Sequence, residues 1–219
     1  AEQAYALAEQ SGLVPHFPPS IRKHFLEHTL EETPKPGDKR FTNSHSLCLL
    51  SNRNAVEAAK DAGQQLGFET EIDSNPWDAD YQQVAQAHLI SLKALAEAHQ
   101  GRPACLIAGG EVTCRVTGPG VGGRNQAYVL YAAQSIAGQP CVVLSAGTDG
   151  RDGNSPTSGA VADGQTVSRA AALGIDPARY LAGSDSYSFF RTLGDTVDIG
   201  YMDNNLRDVR IWLDFGRRG

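Results

Sequence analysis

Residues 118–126 read GPGVGGRNQ, and the use made of that run decides what kind of α/β protein this is. Gly118, Gly120 and Gly123 make a G-x-G-x-x-G, the spacing of a turn that sets a dinucleotide pyrophosphate on a helix start. Such a turn also wants a buried strand before it and an acid about 20 residues on to hold a ribose hydroxyl. Here the preceding EVTCRVTG alternates polar and apolar residues, and the next strand ends in Ser145 with no acid before Asp149. Pro119 interrupts the turn, and no Lys-Ser or Lys-Thr follows the glycines as a Walker A loop requires. What remains is a glycine run opening a helix at Arg124 and Asn125. Backbone amides, the positive end of a helix dipole and a guanidinium fork together suit a phosphate or carboxylate. The plainer alternative is a β-turn with Arg124 in solvent.

Outward from that loop the periods alternate. SLCLLS, FETEID and RPACLIA are expected strands, separated by the helical patterns NAVEAAKDAGQQLG and DADYQQVAQAHLISLKALAEAHQG. That order predicts parallel pairing through right-handed crossovers. After Gly110, EVTCRVTG is an expected half-exposed strand, RNQAYVLYAAQSIAG a helix, QPCVVLSAG a buried strand and GTDGRDGNSPTSGAVADG a long loop. QTVSRAAALG and SDSYSFFRTLG are short helices, and VDIGYMDNNLRDVRIWLDF is strand, turn and strand. Before all this, AEQAYALAEQSGL and IRKHFLEHTL are helical, the second with Ser20 as its expected cap. The fold class is therefore α/β: a partial, parallel Rossmann-like sheet with flanking helices over 1–103, then a smaller α/β domain over 104–219.

Composition narrows the function. In 219 residues the formal net charge is −6, the wrong sign for a nucleic-acid partner, and no apolar run has the length of a membrane span. Cys48, Cys105, Cys114 and Cys141 are scattered singly, which predicts reduced thiols, a cytoplasmic protein and no zinc cluster. All six histidines precede residue 100, so the glycine-rich half holds no Ser-His-Asp or Cys-His apparatus.

Ligands of open α/β sheets gather where strands lead into helices. Four loops have that place: SNRN at Ser51–Asn54 with Ser51 and Asn52, GGE at Gly109–Glu111 with Gly110 and Glu111, GPGVGGRNQ with Gly122, Gly123, Arg124 and Asn125, and GTDGRDG at Gly147–Gly153. In the last, Thr148, Asp149 and Asp152 offer oxygens for Mg²⁺, or a proton acceptor for a substrate hydroxyl, or merely an ordinary turn. Ser51 also has the character of a helix cap.

Taken together, GGEVTCRVTGPGVGGRNQ, CVVLSAGTDGRDGNSPTSGAVADG, DSYSFF and NNLRDVRIWL resemble the C-terminal module of the glycerate 2-kinase family, called MOFRL. Many members of that family have been labelled hydroxypyruvate reductases. Upstream, PPSIRKHFL, ETPKPGDKRF and SNRNAVEAA resemble the later part of its N-terminal domain. The resemblance implies ATP-dependent phosphorylation of D-glycerate, with an organic acid and a nucleotide as small-molecule partners. It implies Arg124 at phosphate or glycerate carboxylate, Asp149 at Mg²⁺ or the attacking hydroxyl, and Asp152 beside it. Glu111, Asn125 and Thr148 match other polar loop positions, and Asn205 lies in the late loop. That loop departs from the family: GYMDNNLRD stands at 200–208 where the family has close to G-P-T-G-T-N-V-N-D, and only Gly200, Asn205 and Asp208 line up. Members are roughly twice as long, with an active-site lysine in the front half, so this chain alone is expected not to turn over glycerate. Two other functions are carried beside it: a non-catalytic anion-, nucleotide- or partner-binding module, and an NAD(P)H-dependent hydroxypyruvate reductase. An exposed half-domain face would favour a homodimer.

Overall fold

The structure is a computed structural model that describes residues 1–75 and 77–216. The chain forms two compact units, divided between Cys48 and Leu49.

The first unit is small. Helix α1 (Glu2–Gln10) stops where Gly12 takes φ +62°, and α2 (Pro19–Leu26) follows. Pro18 is the N-cap, so Ser20 lies inside the first turn of α2 and does not cap it. The proline pre-sets the backbone for a helix start one residue earlier. Tyr5 holds this unit together: its ring meets Phe25 edge-on at 5.5 Å and its hydroxyl accepts from Leu30 N at 2.8 Å.

The second unit is a six-stranded mixed sheet with helices on both faces. In chain order it runs α3 (Asn52–Gln65), β1 (Glu69–Asp73), α4 (Tyr81–Ala98), β2 (Ala104–Gly110), α5 (Arg124–Ser135), β3 (Cys141–Gly147), β4 (Gly159–Asp163), α6 (Thr166–Ala172), α7 (Pro177–Ala182), α8 (Ser186–Leu193), β5 (Thr196–Val197) and β6 (Asp208–Asp214). The spatial order is β1-β2-β6-β3-β4-β5. Among the six described strands only β1 and β2 pair in parallel, joined through α4; β6 enters antiparallel between β2 and β3, and β4 and β5 continue antiparallel. The α/β class holds, but the parallel character is confined to one pair.

Strand alternation divides the core. Ala104 and Leu106 on β2 and Trp212 on β6 face α4 and α5, whereas Cys105, Ile107, Ile211 and Leu213 face α3. Three expected elements differ. SLCLLS forms no strand, and Leu47 and Leu49 are 81% and 80% exposed. EVTCRVTG keeps one bridge, Thr113 to Asp80, because β6 takes the place beside β2 that a strand following β2 would have needed. The long loop after Gly147 ends early, since Gly159–Asp163 is β4. Position 104 is the first residue of β2, so residues on both sides of it contribute to the same sheet. Among the described residues no helix is long and apolar enough to cross a membrane.

Candidate active site

Helix α5 begins without a capping side chain of its own, because its N-cap is Gly123. The cap comes from a distant loop. Asp152 Oδ1 accepts from Asn125 N at 3.0 Å and Asn125 Nδ2 at 3.2 Å, and its Oδ2 accepts from Gln126 N at 2.8 Å. Asp152 is 1% exposed, and burial pushes its carboxyl up to about 6 against the pull of those three hydrogen bonds. The polar block extends inward: Ser145 Oγ donates to Asn125 Oδ1, and Gln126 Nε2 donates to Ser155 Oγ and Thr157 Oγ1.

The glycines before α5 serve close approach of protein to protein. A Cβ on Gly123 would collide with Asp152, and one on Gly120 with Asp185. Gly120 N donates to Gly183 O at 3.0 Å, Val121 N to Asp185 Oδ1 at 3.0 Å, and Gly122 N to Asn154 Oδ1 at 2.8 Å. The dinucleotide spacing is therefore incidental. Residues 111–117, which lead into the turn, form no strand, and these amides are taken by the chain itself.

Arg124 is the charged centre. Its Nε donates to Asp208 Oδ2 at 2.6 Å, and its Nη2 donates to Asp208 Oδ1 at 3.0 Å and Glu111 Oε1 at 3.1 Å. The hydrogen bonds to Asp208 push the guanidinium's pKa further up, so Arg124 is a fixed cation. Asp208 is 1% exposed and Glu111 lies at the surface. Nη1 has no protein partner among the described residues. Arg124, with Gly122 and Gly123, lines a cleft of about 960 Å³ whose other walls include Tyr81, Val112, Arg115 and Leu181.

The remaining expected residues fall into two groups around this pair. Asn52 reaches it from α3: its Nδ2 donates to Leu206 O at 2.6 Å and Asp208 O at 3.0 Å, and a Cβ on Gly109 would strike it. Asn52→Ala is expected to cost ~1–2 kcal/mol, since two carbonyls lose their donor. Urea unfolding of the two proteins measures it. Ser51 is the N-cap of α3 in a capping box with Asn54, which commits it to the helix. On the far side, Thr148 Oγ1 donates to Arg207 O at 2.7 Å and accepts from Leu206 N at 2.8 Å, and Asn205 Oδ1 accepts from Arg207 N. Asp149 Oδ1 accepts from Arg151 N. Gly110 takes φ +93° at the end of β2, immediately before Glu111.

Asp149 and Asp152 thus turn to different partners, and among the described residues no three His, Cys, Asp or Glu side chains are grouped to hold a metal. Asp152, with both oxygens taken at the start of α5, does not fit a Mg²⁺ ligand, whereas Asp149 has only Oδ1 engaged by the protein among the described residues. The residue that sequence reasoning left without a role is Asp208. Its position had aligned with the family's late loop, but nothing local marks it as the partner of an arginine 84 positions away.

Fold and site define an α/β module built on a guanidinium clamped by carboxylates at a helix start. Residues 104–208 match the MOFRL family. The chain is 34% identical over 188 residues to the D-glycerate 2-kinase of Thermotoga maritima, covering 84% of this chain and 44% of that enzyme. It is 28% identical over 226 residues to the glycerate 2-kinase of Pyrococcus horikoshii, covering 100% of this chain and 50% of the other. The crystal structure of the Thermotoga maritima glycerate kinase aligns with a TM-score of 0.77 at 30% identity, over 97% of this chain and 50% of that one. This chain belongs to the glycerate 2-kinase family and carries its MOFRL module. It spans about half the length of the relatives it matches.

Proposed function

We propose that this chain supplies the MOFRL side of an ATP-dependent glycerate 2-kinase site, with Arg124 receiving an anionic group of glycerate or of the nucleotide. The observation that supports it is the clamp on Arg124. Asp208 holds Nε and Nη2 side-on, Nη1 has no protein partner among the described residues, and Arg124 lines the cleft. Phosphoryl transfer depends on positioned positive charge more than on covalent help from the protein. Glu111, on the exposed side of the clamp, is the partner an incoming carboxylate or phosphate displaces. Asp149 keeps Oδ2 without a protein partner among the described residues, and it is the carboxylate we assign to the substrate hydroxyl. The division at 103/104 stays as our boundary between the family's two domains.

Calorimetric titration with ATP, D-glycerate and inorganic phosphate tests the reading. Arg124→Ala is expected to weaken the bound anion by roughly tenfold, as loss of a charge-assisted hydrogen bond does. Equal affinity in wild type and variant would remove Arg124 from the site. The same 219-residue chain is expected to release no ADP with D-glycerate and ATP; release would show that it is active alone. Binding without turnover is also the outcome a non-catalytic anion-binding module would give, and only turnover by a longer form of the protein separates the two. The hydroxypyruvate reductase reading finds no support in the relatives named above or in the turn geometry.

A further inference from the structure

Arg210 is a second guanidinium near the site, and it has no place in the reaction. It follows Asp208 by two residues on β6 and is 0% exposed. No carboxylate forms an ion pair with it among the described residues. Its Nη2 donates to Gly109 O at 3.1 Å and Gly110 O at 2.9 Å, the two residues just before Glu111. Its guanidinium carbon lies 5.7 Å from the centre of the Tyr128 ring. Tyr128 sits one helical turn after Arg124 on α5, and its ring is held from behind. Trp212 Nε1 donates to its hydroxyl at 2.6 Å, and His88 Nδ1 lies 2.6 Å from the same oxygen.

A buried charge without an ion-pair partner is expensive, and an apolar side chain of similar size is often as stable or better. Stability alone therefore gives no reason for arginine here. From a strand position two residues after Asp208, the arginine side chain reaches two further parts of the Arg124 surroundings at once, as an apolar side chain would not. Its fork fixes the turn that projects Glu111. Its backbone shares a strand with Asp208. Its guanidinium carbon stands 5.7 Å over the ring of Tyr128, one turn after Arg124. We propose that Arg210 is the positioning residue of the Arg124 site, setting Glu111 and Asp208 around the guanidinium. Insofar as it concerns ligand binding, the proposal rests on the anion-binding role of Arg124.

The test separates position from stability. In the full chain, the Nε–H proton of Arg124 reports directly on its bond to Asp208 and is followed by ¹H–¹⁵N NMR, together with phosphate titration and thermal unfolding. Arg210→Met removes the guanidinium that donates to Gly109 O and Gly110 O while keeping a long apolar stem. Removal of the unpaired buried charge is expected to offset the donor lost by the two carbonyls, so the melting temperature falls by no more than a few degrees, while Arg124 Nε–H exchange accelerates and phosphate affinity falls, each by roughly tenfold, the scale expected of a misplaced site group. Arg210→Lys keeps charge without the fork and should lie between the two. An Arg124 Nε–H shift and exchange rate identical to wild type in Arg210→Met overturns the proposal; if that variant does not fold, the same result in Arg210→Lys does so. A change at Nε–H without any change in phosphate affinity would uphold the positioning role and instead count against Arg124 as the anion site.

Discussion

Asp152→Ala should lower the unfolding free energy by about 3 kcal/mol, one of the two largest changes expected in this protein. The carboxylate accepts from two backbone amides and one side-chain amide at the start of α5. Gly123 has no side chain to take over, and the site is closed to water, so the amides would be left unsatisfied. An ordinary exposed cap is worth ~1 kcal/mol; burial raises the figure here. Asp152→Asn keeps one acceptor oxygen but turns an amide N–H₂ toward the second donor, so it should fall between wild type and alanine. Urea unfolding gives the free energies, and hydrogen exchange at Asn125 and Gln126 locates the loss. A drop below ~1 kcal/mol for Asp152→Ala would mean that the carboxylate is not what holds the helix start.

The second large effect is a pH dependence centred on His88. Burial, and the nearby charge of Arg210, push its imidazole down to about 4, although Asp73 pulls the other way. The ring is 0% exposed, with Nε2 3.2 Å from Asp73 Oδ2 but poorly aligned for a hydrogen bond. An unfolded histidine titrates near 6.5, so as pH falls from there toward 4 the unfolded chain takes up the proton first. Folding should then lose on the order of 3 kcal/mol across that window from His88 alone. Asp152 acts with the opposite sign. Its raised pKa makes the folded chain the better proton binder between the ordinary aspartate value and about 6, so acidification there favours the fold. The two contributions overlap and mask each other in wild type. The difference between His88→Gln and wild type isolates the histidine: it should be constant above pH 7 and shift by ~3 kcal/mol in favour of the variant by pH 4. A difference that stays flat with pH would show that His88 is not held neutral by its surroundings.

Much of the architecture is legible in local pattern. The apolar spacing in NAVEAAKDAGQQLG, DADYQQVAQAHLISLKALAEAHQG and RNQAYVLYAAQSIAG corresponds to α3, α4 and α5, because each helix buries one stripe and the stripe repeats every three to four residues. RPACLIA and QPCVVLSAG are β2 and β3 for the same kind of reason. SLCLLS shows the limit. An apolar run states that a segment would gain from burial, while strand formation also needs an adjacent backbone edge with which to pair.

GPGVGGRNQ shows where the remainder was decided. Sequence by itself determined that 118–126 is a glycine-rich approach to a helix with Arg124 at its start, and that the missing acid argues against a dinucleotide site. Tertiary structure alone decided what the glycines and the arginine meet. The glycines admit Gly183, Asp185 and Asp152 to close contact, and β6 enters between β2 and β3 to bring Asp208 beneath Arg124. Gly123 and Asp152 lie 29 residues apart in the chain (152 − 123), and Arg124 and Asp208 lie 84 apart. Backbone propensity and hydrophobic period act over a few residues, but a carboxylate is matched to its guanidinium only where the packed sheet places both.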